Sequence, residues 1–259
     1  MTVLVFDIET IPDLDFGRVA LGLEGLSDVQ ITKAMFAHAR QHGGGEFLPH
    51  DQHRIVVISC ALRRGDSLKV WSLGDLDSDE RELIVRFFEG IDRYTPTLVS
   101  WNGSGFDLPV LHYRALKYGV VGQRYWESGD GDQSFRFNNY LNRYHERHTD
   151  LMDVLSGYQP RAKASLSDMA HLLGLPGKLS FSGDKVGDAY AAGNLDGIRR
   201  YCETDVLNTW LLYLRYQLMR GRIDVAELAA EESKVRELLA SCSELHFKEF
   251  LAAWPQLKK

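Results

Sequence analysis

The chain has 259 residues, 44% of them hydrophobic, enough to build one large core, and no low-complexity stretch or repeat divides it. Thirty-six acidic against 30 basic residues leave a net charge of −6, which argues against wrapping long duplex nucleic acid, because such binders carry a broad basic footprint. No apolar run approaches membrane length, and Cys60, Cys202 and Cys242 are too widely spaced for a disulfide framework, so a soluble cytoplasmic protein with reduced thiols and no membrane partner is expected.

The first segment, TVLVFDIET, reads as a strand buried on both faces. Alternation along a strand puts Asp7 and Glu9 on one face and Phe6 and Ile8 on the other. Two carboxylates held that close repel unless a proton or a cation neutralises them, and oxygen-only ligation suits Mg²⁺ or Mn²⁺. A strand end where two acids meet solvent is the alternative. Residues 12–52 are longer than any hairpin needs and read as a helical insertion with a mobile tip. His38 and His42 lie four apart there, with His50 and His53 close behind, so the choice is between a zinc site and exposed polar histidines. Gly43 to Gly45 read either as the hinge of a flap over a substrate strand or as a disordered loop.

Strand patterns follow at RIVVISCAL, LKVWSL and PTLVSW, and the last runs into a turn, NGSG, and a helix starting near Asp107. An aspartate there is either a first-turn charge favoured by the helix dipole or a third member of the acidic site. Asn102, Gly103 and Gly105 form a tight turn able to bring backbone N–H groups to a phosphate, though NGSG is also an ordinary turn. HERH at 145–148 reads as exposed polar histidines. Asp150 reads as a helix cap before a stripe of Leu151, Val154 and Leu155, with His148, Asp150 or Asp153 near a cleft as the alternative. Leu166, Met169, Leu172 and Leu173 follow helical spacing up to a stop at Gly174, and Lys178 meets either a phosphate or solvent. In GIRRYCETDVLNTW, Tyr201 and Asp205 share one helical face, where the aspartate can complete a metal cage and the tyrosine can reach a water bound there. A core tyrosine beside an exposed acid is the alternative. A helical extension over residues 222–259 either packs on the domain or offers a partner surface.

Taken together, FDIET, WNGSGFDLPVL and YCETDVLNT resemble, in order, the three motifs of a DEDD-superfamily 3′–5′ exonuclease of the DnaQ-like, ribonuclease H-like kind. The likeness is greatest to stand-alone relatives of the proofreading domain of family B DNA polymerases, and it covers about residues 1–215. Tyr201, four before the last aspartate, with Arg200 rather than histidine five before it, identifies the tyrosine (DEDDy) subclass.

The resemblance implies an α/β fold, a mixed central sheet flanked by helices with a mostly helical C-terminal half, and a single exonuclease domain over 1–259. It implies catalytic residues Asp7, Glu9, Asp107, Tyr201 and Asp205. Asp7, Glu9 and Asp205 hold one divalent cation, Asp7 also holds a second that Asp107 supports, and Tyr201 orients the attacking water. Two Mg²⁺ or Mn²⁺ ions are the implied cofactors, and nucleoside monophosphates leave from a single-stranded 3′ end, DNA rather than RNA. Thr10, Ile11, Trp101, Asn102 and Phe106 are expected to bind substrate, and Arg114 and Lys117 are further candidates for a groove that grips it. Any partner polymerase or repair enzyme acts in trans. The rival readings are an RNA 3′-trimming exonuclease, an inactive nucleic-acid-binding protein, and a phosphotransferase with Asp7 as nucleophile, which Glu9 in place of a second aspartate disfavours.

Overall fold

The computed structural model describes residues 2–43, 45, 47–177 and 181–255. Its centre is β1 (Thr2–Pro12), whose apolar run has neighbours on both sides. Antiparallel β2 (His53–Arg64) lies on one side with antiparallel β3 (Ser67–Ser72) beyond it, and parallel β4 (Thr97–Ser100) and β5 (His148–Asp150) lie on the other, giving the order β3-β2-β1-β4-β5. This is the mixed sheet expected, with β1 covered above and below.

Alternation along β1 sorts the core into two layers. Leu4, Phe6 and Ile8 face α3 (Glu80–Tyr94) and α4 (Asp107–Tyr118), whose Phe87, Phe88 and Leu111 are buried against them. Val3 and Val5 face α8 (Leu195–Met219), where Val206, Leu207 and the fully buried Trp210 pack. The C-terminal segment forms α9 (Val225–Ser241) and α10 (Leu245–Ala253), and their Val235, Leu239, Phe247 and Phe250 join the Trp210 core. The tail therefore packs on the α8 layer.

The insertion forms α1 (Leu14–Ala20) and α2 (Asp28–Gln41), which share a small core of Ile31, Met35, Ala39 and Leu48. Gly43 and Gly45 both have left-handed φ; Gly44 lies outside the described residues. The end of the insertion is tied down, because His50 Nε2 donates to the Gly105 carbonyl at 2.8 Å. His38 and His42 stack on each other, and among the described residues no cluster of metal-ligand type includes a histidine.

Several local expectations need correction. His148, read as exposed, is buried in β5 with Nε2 2.8 Å from Ser100 Oγ, because β5 joins the sheet edge at this residue. After α5 (Leu151–Leu155), the short α6 (Leu166–Leu172) buries only Leu166 and Ala170, one turn apart, so Leu172 lies 74% exposed; Leu155 is exposed as well. Gly174 ends α6 in the left-handed region as expected, and Lys178 lies outside the described residues. Cys60 and Cys202 are buried and Cys242 half-buried, all as free thiols. Among the described residues no helix is long and apolar enough to cross a membrane.

Candidate active site

Asp7 and Glu9 leave β1 on the α8 side, where α8 presents Tyr201, Cys202 and Asp205. Ligand atoms of Asp7, Glu9 and Cys202 all lie within 4.8 Å of one another. A β-bulge falls beside this point: Glu9 pairs with Val57 and Thr10 with Ile55, leaving Val56 as an extra residue on β2. Such a bulge bends the strand where its side chains must be aimed.

The electrostatics follow from crowding acids under cover. Burial, then the charges of Asp205, Glu9 and Asp7, push the Tyr201 phenol far above its ordinary range, and its hydroxyl is hydrogen-bonded to Asp205. Its proton is thus retained at any physiological pH. The Cys202 thiol is pushed up by the same causes, burial first and then Asp7 and Glu9. It stays protonated and donates toward Asp7, Sγ to Oδ2 3.4 Å. A hard divalent cation of the Mg²⁺ or Mn²⁺ type takes oxygen ligands in preference to sulfur, so the carboxylates of Asp7 and Glu9 are the donors in this group that fit one.

Asp107 reaches the site from the opposite layer. β4 pairs with β1 only from Val3 to Val5, and farther along Asp107, the first residue of α4, accepts the N–H of Ile8 at 3.1 Å through Oδ1. Burial raises its carboxyl to about 7, against the lowering effect of that N–H. A carboxyl raised in the fold adds stability that is full below its unfolded value and lost as pH rises through about 7. In EDTA, Asp107→Asn is therefore expected to be more stable than the wild type at pH 8, by at least ~1 kcal/mol or ~2 °C, and no more stable at pH 4. Thermal melts at both pH values check this, and equal differences would show that Asp107 is not the group responsible.

The remaining predicted residues fall into three places. Thr10 Oγ1 lies 2.8 Å from His53 Nδ1, and Phe106 is half-buried against the rings of His50 and His53. Ile11 is buried with Val56, Ile198 and Cys202 under α7 (Val186–Ala191). Trp101 is half-buried on the α8-side core. Asn102 has left-handed φ (66°) at the turn, and Gly103 follows because a Cβ there would fall 2.2 Å from Ser100 Oγ.

Two expectations about substrate contact fail. The N–H groups of Asn102 and Ser104 are not open to a phosphate, because each donates at 2.9 Å to Asp150, while those of Gly105 and Phe106 donate to Asn102 O. Asp150 also caps α5, so one carboxylate latches two segments together. Arg114 is buried between Asp13 and Glu80, and Lys117 pairs with Asp13 at 3.0 Å.

Two residues to which the sequence gives no role in the site also stand here. Phe181 packs on Tyr201 with ring centroids 5.0 Å apart, and as a loop residue it carries no periodic signal. Cys202 lay inside the third motif and was legible as a neighbour of the pair. Beside the Ser104 turn a cavity of about 440 Å³ opens between Leu108, His112, Tyr140, Arg143 and Lys163.

Comparisons with known proteins give the family and the fold. Residues 45–254 match a family described as predicted 3′–5′ exonucleases related to the exonuclease domain of PolB. The chain is 38% identical over 85 residues to a DNA polymerase of Pyrococcus glycovorans, a match covering 30% of this chain and 11% of the polymerase. It is 37% identical over 86 residues to a DNA polymerase of Thermococcus aggregans, covering 31% and 4%. The chain thus matches about a tenth or less of these polymerases' length. The family B DNA polymerase of Pyrobaculum calidifontis superposes on 97% of this chain and 27% of its own, with TM-score 0.51 and 17% identity. That likeness speaks for the fold, a ribonuclease H-like α/β architecture of the polymerase exonuclease type.

Proposed function

Because the chain belongs to the family of predicted 3′–5′ exonucleases related to the exonuclease domain of PolB, we propose that it removes nucleoside monophosphates from the 3′ end of single-stranded nucleic acid, DNA in preference to RNA. The observation that carries this reading is the convergence of Asp7 and Glu9 from β1 with Tyr201 and Asp205 from α8, an oxygen-rich cluster around a tyrosine that keeps its proton. Asp7, Glu9, Asp107 and Asp205 would hold two divalent cations, Mg²⁺ or Mn²⁺. When bound, such ions lower the pKa of the attacking water and stabilise charge on the departing 3′ oxygen.

The chain's own groups do the rest. Tyr201 orients the attacking water through its hydroxyl, and Phe181 packs against the ring that carries it. Thr10, Trp101, Asn102 and Phe106 surround the 3′-terminal nucleotide while the buried Ile11 supports Thr10 from the core, and the cavity beside Ser104 leaves room for the strand behind it near Tyr140, Arg143 and Lys163. Arg143 and Lys163 are already paired with Asp153, at 2.6 and 3.1 Å. Their hold on a phosphate is thus weakened, which supports a salt-sensitive enzyme that releases its strand often. The core, the insertion and the C-terminal helices act as one exonuclease domain, and a polymerase or repair enzyme receives its product in trans.

The test is a time course on matched 5′-labelled single-stranded DNA and RNA with Mg²⁺ or Mn²⁺. A ladder shortening from the 3′ end, absent in EDTA and faster on DNA, is expected. A faster ladder on RNA would reassign the substrate, and no cleavage of either polymer would overturn the reading. Tyr201→Phe removes only the water-directing hydroxyl, so kcat should fall about 10²-fold while Mn²⁺ affinity stays within about twofold. Unchanged kcat would reduce Tyr201 to packing.

A further inference from the structure

A polar row crosses the α8-side face of the sheet beside an apolar one. In the ladder Asp7 of β1 pairs with Ser59 of β2, and Ser59 pairs with Ser72 of β3. Two residues back along β1 the same three strands place Val5, Ala61 and Val70 in register. The serines are buried, at 0% and 4% exposure, and their hydroxyls lie 2.9 Å apart. Ser72 Oγ donates at 2.7 Å to Oε1 of Glu203 on α8, and His246 of α10 lies with Nε2 2.8 Å from Oε2 of the same carboxylate. At the inner end Cys202 is hydrogen-bonded to Ser59 and donates toward Asp7.

The contacts run from His246 through Glu203, Ser72, Ser59 and Cys202 to Asp7. Buried hydroxyls in a sheet core are unfavourable unless bonded, and here Ser72 bonds Glu203 while Ser59 lies between Ser72 and Cys202. Ser72 gives its one proton to Glu203 and Cys202 gives its own to Asp7, so the single Ser59 proton is shared between Ser72 and Cys202 and joins the two halves of the row.

We propose that this row is a positioning device for Asp7: it fixes the rotamer of that carboxylate for cation binding and makes the C-terminal helix α10 a determinant of the site's metal affinity. The proposal rests on the reading that Asp7 holds a divalent cation. His246, Glu203, Ser72 and Ser59 act through the orientation of Asp7, and Cys202 is the member that donates to it. Groups that orient a metal-binding carboxylate commonly change metal affinity by 10–100-fold when removed.

The test is Mn²⁺ binding to the full chain, followed by titration calorimetry and by the paramagnetic signal of free Mn²⁺, alongside the Mg²⁺ concentration for half-maximal cleavage and the KM for a labelled oligonucleotide. Ser59→Ala is expected to weaken Mn²⁺ binding about tenfold and raise the Mg²⁺ requirement in step, with KM for the strand unchanged. His246→Ala should do the same to a smaller degree, and His246→Gln, which can still donate to Glu203, should restore wild-type affinity. Ser72→Ala breaks the row at the outer strand should Ser59→Ala melt early. Wild-type Mn²⁺ affinity in folded Ser59→Ala or Ser72→Ala and in His246→Ala would overturn the positioning role alone. A wild-type protein that binds no Mn²⁺ would overturn the metal reading beneath it.

Discussion

Replacing Asp205 with alanine is expected to slow 3′-end cleavage by at least about 10³-fold, equivalent to ~4 kcal/mol of barrier, and to leave the fold intact. Asp205 projects from α8 at a buried position beside Tyr201, and its charge acts on that phenol together with those of Glu9 and Asp7. A cluster of this kind is unfavourable by itself, since like charges under cover repel, and it is tolerable only when a cation compensates it. Removing one carboxylate therefore separates activity from stability: cleavage and Mn²⁺ binding should be lost, while the Tm in EDTA should stay level or rise. Asp7→Ala should behave in the same way. The measurement pairs the gel time course with thermal melts in EDTA, and wild-type cleavage by folded Asp205→Ala would remove Asp205 from the mechanism.

Arg114→Leu is expected to show the opposite pattern, a large loss of stability with no specific effect on substrate. The guanidinium is 3% exposed and holds two acids at once. It pairs with Asp13, the N-cap of α1, and it forks onto Glu80 at 2.7 and 2.5 Å. Glu80 in turn accepts the Ile55 N–H at 2.7 Å and the Tyr118 hydroxyl at 2.8 Å, so the network joins the insertion, β2, α3 and α4. Removing the cation leaves two buried carboxylates short of their main partner, a loss of about 3–5 kcal/mol. Burial pushes the Asp13 carboxyl up, but Arg114 and Lys117 outweigh it and hold the group below its usual value. The stability this pair provides is therefore present above the unfolded carboxylate pKa and lost as pH falls through the lower, folded one. The difference between wild type and Arg114→Leu in urea unfolding should be largest near pH 7 and shrink at about pH 3. A KM effect with unchanged stability would instead return Arg114 to the substrate groove.

How far the site was legible in the sequence follows from the range of the interactions that build it. Asp7 and Glu9 on one face of a strand, and Tyr201 one turn from Asp205 on a helix, are consequences of local periodicity, which a single segment specifies. The helical tail was legible for the same reason, from an apolar stripe in residues 224–254. The position of Asp107 was half legible: its place at the start of a helix could be read, but its bond to the Ile8 N–H depends on β4 pairing with β1 only as far as Val5. Asp150 was read correctly as a cap, yet its hold on the Asn102 and Ser104 amides, 48 and 46 residues away in the chain, has no local signature.

The sequence by itself determined the α/β architecture, the acidic motif set and the family, because side-chain period and motif order are properties of short segments that survive without knowledge of the partner. Only the tertiary structure decided that Arg114 ties elements together instead of reaching for a strand, and that the NGSG amides serve Asp150. It alone revealed the buried row of His246, Glu203, Ser72 and Ser59, with Ser59 beside Asp7 in the ladder. Those outcomes depend on strand register and on which helix covers which face. A one-residue slip in register would send every side chain of a strand to the other layer and dissolve the row, and register is set only when the whole core closes.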